Sequence, residues 1–277
     1  MKGLIIDRVD VPLPQQFVGL HDVRILHCSD LHLSGANRKI EYFFDNLGSI
    51  ESEIAIISGD LIDTERGISV CIDCLSKLKA KYGIYISLGN HDRYRLGLKE
   101  FLFYHWSKKI SMNNIDHFFA QLLNRGMTVL FNEIRLIAIN GVGVDLIGIE
   151  APLGYDRFKG QGLFRQALQR LDSVVDKAHT NNFSILISHI PDLIQGLNLN
   201  KINLILSSHT HGGQIRLPWV GPLFTNSKFQ RKYCQGIFKY NDAYLHISTG
   251  LGVSAITPFR LMSPPRATVI SLKRLHA

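Results

Sequence analysis

Polar residues able to ligate metals recur in this sequence at one kind of place, directly after short apolar runs. Val23–Ser29 is followed by Asp30-Leu31-His32, Glu53–Ser58 by Gly59-Asp60, and Gly83–Leu88 by Gly89-Asn90-His91-Asp92. Further on, Phe183–Ser188 is followed by His189, and Ile202–Ser207 by Ser208-His209-Thr210-His211. Each signal alone is weak. An Asp after a strand is often a helix N-cap, and a lone His is often a satisfied structural residue. Together they place two carboxylates, one amide and four imidazoles at strand ends, besides His91 and Asp92. Burying carboxylates without compensation is costly. Two divalent cations resolve that cost, and with a hydroxide present the site keeps a net charge of about +1, suited to a phosphate anion. Mixed carboxylate and imidazole donors favour Mn, Fe, Zn or Ni over Mg or Ca. The chemistry that follows is hydrolysis of a phosphate ester, because such ions lower the pKa of water from about 15.7 towards 7.

The elements that must position these groups read as an α/β pattern. The first three apolar runs are four to seven residues long and bounded by turn formers, as buried strands are. Between them, Arg38–Ile50 and Ile68–Leu78 carry apolar residues at helical spacing, so a β-α-β-α-β opening and a parallel sheet are expected. Ligands in such sheets lie beyond the carboxyl ends of the strands. Met127–Phe131, Ile134–Ile139 and Val142–Ile149 read as a three-stranded meander joined at Asn132-Glu133 and Asn140-Gly141. Gly162–His179 reads as an amphipathic helix. Cys234–Tyr240 and Ala243–Ser248 read as a hairpin over Asn241-Asp242. With no internal repeat or linker, one α/β domain over residues 1–277, built on two sheets, is the economical organisation.

Composition narrows the class further. The chain of 277 residues is 45% hydrophobic and 19% charged, the balance of a globular protein. Apolar runs are too short to span a bilayer, and the N-terminus lacks the features of a secretory signal, so a cytoplasmic location is expected. Four cysteines agree with a reducing compartment. Cys71-x-x-Cys74 continues an apolar helical stripe without a second Cys pair, which favours packing over metal or redox use. The formal charge is +8, and Ile215–Ala277 holds nine Lys or Arg against a single acid, Asp242. Such a basic surface suits an anionic substrate or an anionic surface.

The ordered set Asp-x-His, Gly-Asp, Gly-Asn-His-Asp, His and His-Thr-His resembles the calcineurin-like metallophosphoesterases, and the resemblance runs from Val23 to the C-terminal strands. It implies a four-layer α/β/β/α sandwich of two mixed sheets flanked by helices. It also implies two divalent metal ions, one on Asp30, His32, Asp60 and His211, the second on Asp60, Asn90, His189 and His209, with Asp60 shared. His91 would contact the phosphate and protonate the leaving oxygen, and Asp92 would orient its ring. One departure is Ser208, where the family usually has Gly. A serine takes positive φ only at some cost, which bears on the geometry of the second site, while both flanking histidines are kept and function is not read as lost. The run His209–Ile215, with Leu217-Pro218-Trp219, Arg231-Lys232-Tyr233 and Gly236, resembles a bacterial membrane-associated phosphodiesterase subgroup. That subgroup includes a UDP-diacylglucosamine pyrophosphatase type of lipid A synthesis.

The substrate expected from this resemblance is a phosphodiester or pyrophosphate, lipid-linked, such as UDP-2,3-diacylglucosamine, with peripheral contact to an anionic inner-membrane surface. An aromatic and basic segment at about 93–116, with Phe101–Trp106 and Lys108-Lys109, would serve as a cap, an acyl groove or a membrane contact, or else as an ordinary buried turn. Two other readings stand beside this one. A nuclease or general phosphodiesterase would use the same site and the basic charge, although no added nucleic-acid module is present. A non-catalytic metal-binding scaffold would be expected to lack a ligand or His91, and the sequence has all of them.

Overall fold

The computed structural model describes residues 3–93, 112–150, 162–225, 227–253 and 258–274, with backbone only for 162–167. Most of the 93–116 segment, including Phe101–Trp106 and Lys108-Lys109, lies outside the described residues.

Two six-stranded mixed sheets form the centre. The first runs β1 (Ile5–Leu13), β16 (Arg266–Arg274), β2 (Arg24–Cys28), β4 (Ile54–Ser58), β6 (Ile84–Ser87) and β7 (Thr128–Val129). Its strands from β2 to β7 are parallel, β16 is antiparallel to β2, and β1 is parallel to β16. The second sheet runs β14 (Gly236–Tyr240), β15 (Ala243–Ile247), β11 (Leu204–Ser207), β10 (Phe183–Ser188), β9 (Val142–Ile149) and β8 (Glu133–Ile139). Here β15, β11, β10 and β9 are parallel, and the outer strands β14 and β8 pair antiparallel. Small ladders join β3 (Glu51–Ser52) to β5 (Lys79–Ala80) and β12 (Arg216–Leu217) to β13 (Gly221–Pro222).

Strand alternation divides the core. Ile54 and Ile56 of β4 face the second sheet, where they join Leu146, Ile185, Ile187 and Leu206 in one buried cluster. Ala55 and Ile57 face outward, into a cluster with Phe43, Phe44, Ile72 and Phe118. Both faces of the central strands are thus buried, which is why their sequences are continuously apolar. Helices α1 (Arg38–Leu47) and α2 (Ile68–Leu75) cover the first sheet. The helix Gly162–Val175 covers the second with Leu171 and Val175, completing the four layers. Cys71 and Cys74 are buried in the α2 core, and burial pushes both thiols up, Cys74 to about 12.

The meander expected at Met127–Ile149 is corrected. Only β8 and β9 form a hairpin, over Asn140-Gly141 at positive φ. Strand β7 instead pairs with β6 in the other sheet, and the Leu130 amide donates to the Ile86 carbonyl (2.7 Å). Leu130 is fully buried between the sheets, so the chain changes sheet there rather than turning back. The N-terminal edge strand β1, with Asp7, Arg8 and Asp10 set among apolar residues, was not anticipated.

Candidate active site at the carboxyl ends of the two sheets

The parallel strands of both sheets end on one edge, and the metal-competent side chains meet there. After β2, Asp30 and His32 adopt φ of 50°. After β4, Asp60 has φ 55°, and after β11 His209 and His211 have φ of 71° and 50°. Asp and His tolerate this left-handed region better than branched residues, yet each such residue stores about 1–3 kcal/mol of strain. The parallel ladder holds the conformation past the strand ends: the Asp30 amide donates to the Gly59 carbonyl (2.9 Å) and the His32 amide to the Asp60 carbonyl (3.0 Å). Two glycines make room. Gly59 takes φ 88°, and a Cβ on Gly89 would stand 2.1 Å from Asp60 Oδ1.

Among the described residues, three groups of side chains could each hold a cation with one atom apiece: Asp30, His32 and His211; Asp60, His189 and His209; and His32, Asp63 and His91. The first two bring together three members each of the two four-residue sets that the resemblance implies, without Asp60 in the first and Asn90 in the second. Asp60 lies between them, with Oδ2 3.1 Å from His189 Nε2 and 3.7 Å from His32 Nε2. His32 Nε2 is 3.1 Å from His211 Nε2, and the two rings stack at 5.0 Å. His211 Nε2 is 3.6 Å from Asp30 Oδ1. His189 Nδ1 is 2.7 Å from the Ser58 carbonyl, which makes it the donor there and turns Nε2 towards Asp60 and His209. Asn90 is buried beside Asp60, at the start of the single turn Asn90–Arg93.

The charges are concentrated by burial. Burial, with Asp60 adding to it, raises the Asp30 carboxyl. Burial opposes ionisation of Asp60 as well, but His189, His91 and His32 around it hold its carboxyl well below the usual carboxylate range. Burial would lower His91 and His189, yet Asp60 pushes both up to about 9. His211, buried beside His32 and Arg260, falls well below its ordinary value and stays neutral.

The donor set fits two cations. Asp30 Oδ1 and Asn90 Oδ1 are buried acceptor atoms that receive no hydrogen bond among the described residues. Buried oxygens are rarely left so, and cations among hard oxygen and imidazole donors would satisfy both.

Two sequence expectations change. Asp92 does not face the His91 ring. Its carboxylate accepts the backbone amides of Asp60 (2.9 Å), Leu61 (2.7 Å), Ile62 (3.0 Å) and Gly89 (2.9 Å), and so braces the turn that presents Asp60. The carboxylate on the ring is Asp63, 3.2 Å from His91 Nδ1 and 2.8 Å from His32 Nδ1. Those two histidines hold Asp63 well below the usual carboxylate range against the effect of its burial. Ser208 needs no positive φ, because the following His209 carries it. Its hydroxyl instead donates to the Ser58 carbonyl (2.6 Å) and lies 2.9 Å from His189 Nδ1.

Sequence reading also missed Arg260. Its half-buried guanidinium donates to the Thr249 (2.9 Å) and Gly252 carbonyls and reaches 3.2 Å from His211 Nδ1. Asp63 carried a usable signal, a second carboxylate three residues after Gly-Asp. Arg260 carried none.

The sequence pattern of the calcineurin-like phosphoesterases matches residues 23–213. Metallophosphoesterase YkuE of Bacillus subtilis is 26% identical, over 92% of this chain and 80% of its own length. Metallophosphoesterase Cj0846 of Campylobacter jejuni is 30% identical, over 99% of this chain, which spans 64% of that longer relative. UDP-2,3-diacylglucosamine pyrophosphatase LpxG of Chlamydia muridarum is 24% identical over 96% of this chain and 88% of its own. The crystal structure of phosphopantetheinyl hydrolase from Mycobacterium tuberculosis shares the fold, with a TM-score of 0.50 at 10% identity, covering 86% of this chain and 92% of that one. The chain belongs to the calcineurin-like phosphoesterase family and is a metal-dependent phosphoester hydrolase.

Proposed function

We propose that the chain hydrolyses a phosphodiester or pyrophosphate bond in a lipid-linked substrate of the UDP-2,3-diacylglucosamine type, using two divalent ions, with Mn the first choice. It would act in the cytoplasm, at the periphery of the inner membrane. The observation that carries the dinuclear reading is the pair of buried clusters that meet at Asp60, with unsatisfied oxygens on Asp30 and Asn90. Asp30, His32, Asp60 and His211 would hold one ion, and Asp60, Asn90, His189 and His209 the other. When bound, the ions supply Lewis-acid charge at the phosphoryl group and acidify water.

The remaining chemistry belongs to the chain. The His91 amide donates to Asp60 Oδ1 (2.9 Å), so the proton donor and the shared carboxylate are placed by one contact. Asp63 at Nδ1 orients the His91 ring and leaves Nε2 for the departing oxygen. Asp60 and Asp63 beside the buried ring favour its protonated form, the state that a general acid needs. Asp92 holds the turn, and Ser58 and Ser208 hold the His189 ring. The lipid-linked part of the proposal is supported by the similarity to the Chlamydia muridarum pyrophosphatase.

The test is a panel on the Mn-loaded protein, comparing UDP-2,3-diacylglucosamine, an aryl phosphodiester, a phosphomonoester and single-stranded DNA, with Asp60→Ala as control. The lipid-linked substrate should give the highest kcat/KM, and Asp60→Ala should abolish all turnover. Preference for DNA, falling steeply with salt, would replace this reading with a nuclease.

A further inference from the structure

Seven of the thirteen exposed large hydrophobic side chains among the described residues fall within one part of the chain, residues 217–262. Leu217, Trp219, Val220 and Phe224 belong to the β12–β13 hairpin and its flank, and Trp219 at the tip is fully exposed with φ 60°. Phe259, Leu261 and Met262 lie on the segment alongside. The two are laced together: the Arg216 amide donates to the Leu261 carbonyl (2.9 Å) and the Leu261 amide to the Gln214 carbonyl (2.9 Å), while the Leu223 amide donates to the Ile215 carbonyl (3.0 Å) within the hairpin itself. Backbone groups are thereby satisfied while the apolar side chains face outward. A cluster of this kind on a soluble face marks an interaction site.

The patch adjoins the catalytic edge. The Gln214 amide donates to the His211 carbonyl (3.0 Å), and Arg260, between Phe259 and Leu261, contacts His211 directly. On the other side of the same loop, Thr210 Oγ1 donates to the Cys234 carbonyl (2.6 Å) and Arg216 reaches Cys234 Sγ (3.2 Å), fixing the turn that carries exposed Arg231 and Lys232. From Gln214 to Asn241 the sequence has five Lys or Arg and no acid.

We infer that the Trp219 hairpin and the 259–262 segment dock this protein on an anionic lipid surface, with the His209–His211 edge turned towards that surface. An indole at a hairpin tip suits the boundary between headgroups and acyl chains, and the neighbouring cations suit anionic headgroups. The basic charge also argues against a second copy, since a symmetric contact through this face would bring like charges together. The inference rests on the lipid-linked reading for its purpose, but its geometry stands separately.

The experiment uses the full chain with Trp106→Phe, leaving Trp219 as the only tryptophan. Vesicles of phosphatidylglycerol with phosphatidylcholine should shift its emission to the blue, and bromine-labelled acyl chains should quench it. Pure phosphatidylcholine should do so far less. In the otherwise native chain, Trp219→Ser, and separately Phe259→Ser with Leu261→Ser, should weaken vesicle binding at least about tenfold, the scale of losing one well-buried aromatic contact, while hydrolysis of a soluble aryl phosphodiester is unchanged. Unmoved emission, undiminished binding in the variants, equal binding to pure phosphatidylcholine, or a dimer that dissociates on Trp219→Ser would each overturn the inference. Vesicle binding without cleavage of UDP-2,3-diacylglucosamine would sink only the substrate reading. Cleavage without a Trp219 response would sink only the docking surface.

Discussion

Asp63 is where the site is most exposed to a single substitution, because one carboxylate faces two imidazoles. It lies 2.8 Å from His32 Nδ1 and 3.2 Å from His91 Nδ1, and so fixes the rings of a proposed ligand and of the proposed acid together. Asp63→Asn keeps the volume and removes the charge. Turnover of an aryl phosphodiester should fall about 10–100-fold, as losses of ligand-orienting partners do, with metal content by mass spectrometry nearly intact. His91→Ala should retain both metals and lose about 10²–10⁴-fold in kcat; an unchanged rate would remove it from the mechanism. The strand-end set from Asp30 to His211 was legible because each member follows a short apolar run within the sequence. The partners of those residues were not. Asp92 sits beside His91 in sequence yet braces backbone amides 30 to 32 residues away, and Arg260 meets His211 across 49 residues. Contacts of that range are set by how the sheets pack, and local spacing does not encode them.

At the scale of elements, the turn after β6 has the least freedom. Gly89 lets the β6 turn pass against Asp60 so closely that a methyl group would overlap Oδ1. Gly89→Ala should therefore displace the shared carboxylate, and the variant should bind less than one equivalent of Mn while keeping the circular dichroism of the native fold. Retention of two equivalents would show that the turn relaxes. Strands and helices were largely readable here: α1 buries Ile40, Phe43, Phe44 and Leu47 at helical spacing, and its Asn37 cap accepts the Ile40 amide (3.2 Å). The error at β7 has a physical origin. Two short apolar strands separated by a tight turn look like a hairpin, while burial of Leu130 between the sheets, which sends the chain across, leaves no local mark.

For the whole molecule, the two sheets converge their parallel strands on one edge, and that convergence places opposed demands on pH. Away from the metal ligands, His27 and His246 are buried with Nδ1 atoms 2.8 Å apart, His27 reaching Ser58 through Nε2 (2.7 Å). Burial holds both below their ordinary values, His246 at about 4 and His27 well below its usual range, so the pair shares its hydrogen bond as neutral rings. In the unfolded chain these rings take up protons below about pH 6.5. A folded pKa that is depressed means the unfolded state binds more protons, so stability falls with pH through the window from 6.5 towards 4. His246 alone accounts for roughly 3 kcal/mol across that window. The measurement is the denaturation midpoint of the metal-stripped protein between pH 7 and pH 4.5, compared with His246→Gln. The parent should lose stability more steeply as the solution is acidified, and the variant should show a shallower slope, because the titrating ring is gone from both states. Equal slopes would mean that the junction between the two sheets does not impose this pH dependence, and that it resides instead with His211, the other buried imidazole held below its ordinary value.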